Sequence, residues 1–138
     1  MEERGLIAPE TETEASDRYR ELGAAAQTVT RETAKAMAFD REEYAERVTG
    51  DVVETARDAL FASLLTVSVG TYEEFESFRE ANPDLDVREN GSAQVDNAVW
   101  HVVPFADTVV AATFQNEPEA AVATLRRIVH GRYYSGVV

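Results

Sequence analysis

Two runs of this sequence, Ala98 to Val103 and Thr108 to Phe114, are apolar at nearly every position rather than at alternate ones. A strand with that pattern is covered on both faces, because alternation survives only where one face meets water. Four residues, Pro104-Phe105-Ala106-Asp107, separate the runs, a length that predicts an antiparallel hairpin. The rest of the chain must therefore supply helices for one face of a small sheet and, in part, for the other.

Helical periodicity supplies them. From about Glu10 to Met37 the apolar positions Ala15, Tyr19, Leu22, Ala26, Val29, Ala36 and Met37 recur at spacings of three and four, predicting one long helix. Pro9 suits its start, and Gly23 weakens its interior and marks a bend. Asp40 with Glu43 is a capping-box pattern opening a short helix that Thr49-Gly50 breaks. Asp51 with Glu54 repeats the cap ahead of a third helix, whose buried stripe is Val53, Ala56, Leu60 and Leu64. Thr66 to Val69 reads as a strand ended by Gly70. Thr71 with Glu74 caps the next helix, which buries Phe75 and Phe78 and stops at Asn82-Pro83. A weak strand is expected near Leu85 to Arg88, and Glu89 to Ser92 is a loop. Asn116 and Glu119 cap a last helix that buries Val122, Leu125 and Val129 and ends at Gly131. The expected order is α-α-α-β-α-β-β-β-α. This is an α+β fold with a helical N-terminal half packed on a small, mainly antiparallel sheet and a C-terminal helix.

At 138 residues, 1–138 is expected to form a single domain with core enough to need no disulfide or metal staple. The chain has no cysteine, which excludes disulfides, thiolate zinc sites and cysteine nucleophiles. Its charge is lopsided: 26 acids against 13 bases, for −13, and Lys35 is the only lysine. Acid excess with arginine in place of lysine suits molar salt. There the Debye length falls to about 3 Å and a dense carboxylate surface stays hydrated without repelling itself. The N-terminus has no apolar signal core and no run is long enough to span a membrane, so a cytoplasmic protein without membrane attachment is expected.

In so acidic a chain, segments without acids are informative. The windows 59–72, 97–106 and 108–116 coincide with apolar helix or strand. The window 120–138 does not: it holds Arg126, Arg127, Arg132, His130, Tyr133 and Tyr134 and no carboxylate. Three readings stay open. The arginines pair internally while the tyrosines pack on the core; or Tyr133 and Tyr134 sit at a protein interface; or the arginines hold an anion. Nucleic acid is the least expected partner, since net acidity opposes it and salt weakens phosphate contacts.

Alternation puts His101 on the strand face of Val99 and Val103, opposite Trp100 and Val102, where it needs a partner. It is read as a bonded core histidine or as a pocket base. The hairpin brings Asp96-Asn97 toward Gln115-Asn116, so a polar-rimmed pocket at that sheet end, using His101, Gln115 and Arg126, is the sharper alternative. His101 and His130 are the only histidines, too few with no cysteine for an ordinary zinc site, and neither metal nor cofactor is expected. No phosphate-binding glycine loop, dinucleotide fingerprint, zinc-protease motif or nucleophile elbow occurs.

The segments Thr49-Gly50-Asp51-Val52-Val53-Glu54-Thr55-Ala56-Arg57-Asp58-Ala59-Leu60-Phe61, Val95-Asp96-Asn97-Ala98-Val99-Trp100-His101 and Ala123-Thr124-Leu125-Arg126-Arg127-Ile128 resemble a small family of uncharacterised haloarchaeal proteins. That resemblance implies a salt-adapted archaeal cytoplasm and carries no assigned activity. The leading expectation is thus a non-enzymatic interaction or regulatory protein, forming a homo-oligomer or meeting an unidentified partner through its C-terminal region. The alternative is a binder or enzyme for a small anionic ligand.

Overall fold

The computed structural model describes residues 1–92 and 94–138. The order is β1 (Glu2–Arg4), α1 (Glu12–Glu21), α2 (Gly23–Ala36), α3 (Arg41–Arg47), α4 (Gly50–Leu64), β2 (Val67–Thr71), α5 (Tyr72–Ala81), β3 (Asp86–Asn90), β4 (Asn97–Val103), β5 (Thr108–Phe114) and α6 (Pro118–Val129). The fold is α+β, as expected.

The hairpin forms the centre. β4 and β5 pair antiparallel, Asn97 opposite Phe114 and Val103 opposite Thr108, in a sheet ordered β1-β2-β4-β5-β3. Three of the four pairings are antiparallel; β3 joins β5 in parallel, so the sheet is mixed. Both faces are covered. Val99, Val103 and Val110 face a helical layer that contributes Tyr19, Phe61, Leu125 and Val129. Ala98, Trp100, Val109 and Ala111 face α5 through Phe75 and Phe78.

Several expectations need correction. The long first helix is two helices, broken at Leu22. A Cβ on Gly23 would lie 2.9 Å from an Nη of Arg57, whose guanidinium sits over the Tyr19 ring. The break falls beside the glycine where a bend was expected. Helix α4 is capped by extended Thr49 rather than Asp51, which instead sits in the first turn where a carboxylate favours the helix dipole. Helix α6 begins after Glu117 rather than Asn116, because a residue before proline is held extended and Pro118 opens the helix. Gly131 does not end the last helix; the chain runs on through a π-helical turn, His130–Tyr134. Strand β1 is an addition that completes the free edge of β2. The capping box of Thr71 and Glu74 forms as read.

The expected stripes are only partly covered. Phe61 is the buried residue of α4, while Val53, Ala56, Leu60 and Leu64 are half-covered. Val29 and Met37 stand exposed, at 45% and 60%.

The N-terminal strap reaches the core through Gly5, at φ +107, where a Cβ would meet the Leu65 carbonyl oxygen at 2.5 Å. Beyond it, the Leu6 and Ile7 amides both donate to the Leu64 carbonyl at 2.8 Å. Gly5→Ala should therefore destabilise the fold by about 1–3 kcal/mol through backbone strain and loss of these bonds. Urea unfolding in molar KCl measures this; an unchanged midpoint would show that the strap contributes nothing.

Candidate functional site

His101 is 3% exposed on β4. Its Nδ1 meets the Thr66 carbonyl and its Nε2 lies 2.7 Å from the Tyr134 hydroxyl. A carbonyl can only accept, so Nδ1 carries the proton and Nε2 accepts from Tyr134. Both ring nitrogens are satisfied and the ring is neutral. Burial first, and then the Arg126 charge, push its pKa down from 6.5 to about 4, against the opposing pull of the Thr66 bond. Burial alone pushes the Tyr134 phenol up.

Tyr134 is fully buried, edge-on to Phe61 and Phe105, so its ring belongs to the core and not to an exposed contact surface. Tyr133 is half-buried against the same core. The π-helical turn explains the placement: it sets His130 and Tyr134, four apart, both against the Phe61 ring.

The arginines do not find the acids that internal pairing calls for. Arg126 donates from Nε to the Leu65 carbonyl at 2.9 Å. Burial and the nearby Arg4 charge both disfavour its cationic form. Arg127 and Arg132 are exposed. Among the described residues none of the three lies within ion-pair distance of a carboxylate. The His130 Nε2 is shielded from solvent without a hydrogen-bond partner, and its nearest carboxylate, Asp58, is 3.9 Å away.

Gln115 does not join His101. It sits at the open end of the hairpin, where Nε2 donates to Asp96 at 2.6 Å and its backbone carbonyl accepts from Asn97. His101 lies four residues further along β4. The three do not share one pocket: Gln115 borders a cavity with Asn116 and Thr124, Arg126 borders another, and His101, both ring nitrogens engaged, borders a third with Thr66 and Ser68.

Two clefts flank α4. One, of about 390 Å³, lies between α2, α3 and α4 and is lined by residues including Val29, Ala34, Met37, Val48, Val52 and Ala56, with Arg47 its one charged residue. Sequence reading missed it because the acid-free run 22–31 of α2 was read only as a buried stripe, and the other walls come from α3 and α4, where acids interleave with apolar residues. The second, of about 450 Å³, lies between α4 and α6 and gathers Asp58, Arg126, Arg127 and His130 over Ala59, Ala62 and Ala123. Thr55 and Ala59 border both. Among the described residues no cluster of three or more histidine or acidic side chains is arranged to hold a metal ion, and no helix is long and apolar enough to cross a membrane.

The neutral, buried His101 links stability to pH. A base whose pKa is depressed by folding contributes its full stability above about 6.5 and loses it as the pH falls toward 4. By pH 5 the loss is about 2 kcal/mol, above the range where most carboxylates titrate. Chemical denaturation between pH 7 and 5 should show this slope, and His101→Gln should flatten it. A slope that persists in the variant would assign it to other groups.

Residues 6–135 match a family of unknown function, DUF5809, and the chain belongs to that family. No curated protein and no solved structure matches it.

Proposed function

We propose that this DUF5809 protein is an interaction protein of a high-salt cytoplasm, docking through the open face of α2, α3 and α4 onto a second copy of itself. The observation that carries this reading is the groove between these helices. Its twelve lining residues include no carboxylate, on a chain that has 26. Exposed Val29, Met37 and Val52 line it. Monomeric proteins seldom leave such a patch to water, and helices with small residues at the contact approach closely.

Charge favours a second copy as the occupant. Helix α2 is basic, with Arg31 and Lys35 against Glu32. Helix α3 is acidic, with Glu42, Glu43 and Glu46 against Arg41 and Arg47, and α4 adds Asp51, Glu54 and Asp58 against Arg57. A two-fold contact repeats each pairing, so laying α2 of one copy on α3 and α4 of the other sets basic against acidic twice. Molar salt screens the remaining repulsion between two chains of −13 each. This moves the contact from the C-terminal tyrosines to the N-terminal helices.

The test is native mass by light scattering in about 2 M KCl, a salt at which surface charge is screened. The protein should run at twice its chain mass, and Met37→Glu or Val52→Glu, both at exposed positions, should give monomers with an unchanged fold. A monomeric wild type at high concentration would overturn self-association, and dimeric variants would overturn this face as its site.

A further inference from the structure

The α4–α6 cleft is a different kind of site from the apolar groove. We propose that it binds a small monoanion with an apolar body, a medium-chain or aromatic carboxylate, independently of self-association.

The cleft combines a floor of small apolar residues with charged groups along its length, Arg126 beside Leu65 and His130 beside Asp58. Ala59, Ala62 and Ala123 leave an apolar space where larger side chains would fill it. Arg126, Arg127 and His130 gather beside that space. The Arg126 Nε is committed to the Leu65 carbonyl, and neither of its terminal nitrogens has a hydrogen-bond partner among the described residues. Its neighbour Arg4 pairs with Glu2 and offers it only repulsion. Arg127 stands exposed on the next position of the helix without an acidic partner. The His130 Nε2 is an orphan on the same wall.

Basic residues in the last turn of α6 suit the helix dipole, and that accounts for their sign. It does not account for the unpartnered His130 nitrogen or for the cavity beside it. Among the described residues Asp58 is the one carboxylate on the cleft, and after burial it is the next cause that pushes the Tyr19 phenol up to about 12. Two guanidiniums against one carboxylate leave the site with one net positive charge, which a single anionic head neutralises. Guanidinium forks suit a carboxylate, and a water-poor wall strengthens the contact. The apolar body would lie over the three alanines, as in most small-molecule sites.

The probe is sodium octanoate, titrated into the protein in molar KCl and followed by amide chemical shifts, with octanamide as the neutral control. Octanoate should shift Ala59, Ala62 and Ala123 saturably at millimolar concentration, and octanamide should bind about tenfold or more weakly, the loss of one charge-assisted contact. Arg127→Glu, at an exposed position without a structural bond, should weaken octanoate by a similar factor. Ala123→Leu should block the cleft and abolish the shifts. Equal binding of octanoate and octanamide, an unaltered affinity in Arg127→Glu, or shifts confined to the α2–α4 groove would each overturn the proposal, as would no saturable shift at all. Met37→Glu, which should alter the native mass, should leave octanoate binding intact, so the two readings fail separately.

Discussion

Where α4 gives way to β2, three successive backbone carbonyls have no partner in either element. The last carbonyls of any helix are in this position, and a buried one costs stability until something donates to it. Here each is closed by a different distant segment. The Leu64 carbonyl takes the amides of Leu6 and Ile7, that of Leu65 takes Arg126, and that of Thr66 takes His101. The Thr66 amide in turn donates to the Ile7 carbonyl. The N-terminal strap, the central strand and the last helix are thus pinned to one turn of chain. The requirement propagates. His101 can serve Thr66 only if its other nitrogen is satisfied, which calls Tyr134 into the core and gives the C-terminal turn its wide π-helical form.

Much of the architecture was legible because it rests on patterns of burial. The hairpin follows from two runs apolar on both faces, and the side of β4 that carries His101 follows from alternation alone. What escaped reading depends on distant partners. The strand Glu2–Arg4 has no apolar pattern and exists because β2 offers an open edge. The bend at Gly23, by contrast, was legible from the glycine; the Arg57 guanidinium that lies beside it, thirty-four positions on, was not. Glu117 displaces Asn116 as cap for a local reason, the proline after it, that outweighs side-chain preference.

The candidate site was legible in part. The acid-free window 120–138 pointed to Arg126, Arg127 and His130, and these do share a cleft. It gave no sign that Tyr134 would be drawn inward, because the demand comes from a histidine in another element. Gln115 was misplaced by distance: hairpin register sets Asn97 opposite Phe114, which puts Gln115 beside Asp96 and leaves His101 about 16 Å away, five residues at some 3.3 Å each. The α2–α4 groove was invisible for a different reason. Its α2 wall includes the acid-free run 22–31, read as a buried stripe, while acids interleave with apolar residues along α3 and α4, so no single segment marks the surface.

Helix α4 divides its length between two tasks. Its C-terminal end is structural: Phe61 is wholly buried and the carbonyls beyond it are closed by three segments. Its N-terminal part is covered by no sheet. Val52, Thr55, Ala56 and Ala59 line the groove against α2, and Thr55 and Ala59 also border the cleft against α6. A helix pinned at one end and only partly covered along the other presents a crest of small residues. In molar salt such a crest is the surface least opposed by charge, because the carboxylates that keep the rest of the chain hydrated are absent from it, and apolar burial there still stabilises contact with about 25 cal/mol for each Å² removed from water.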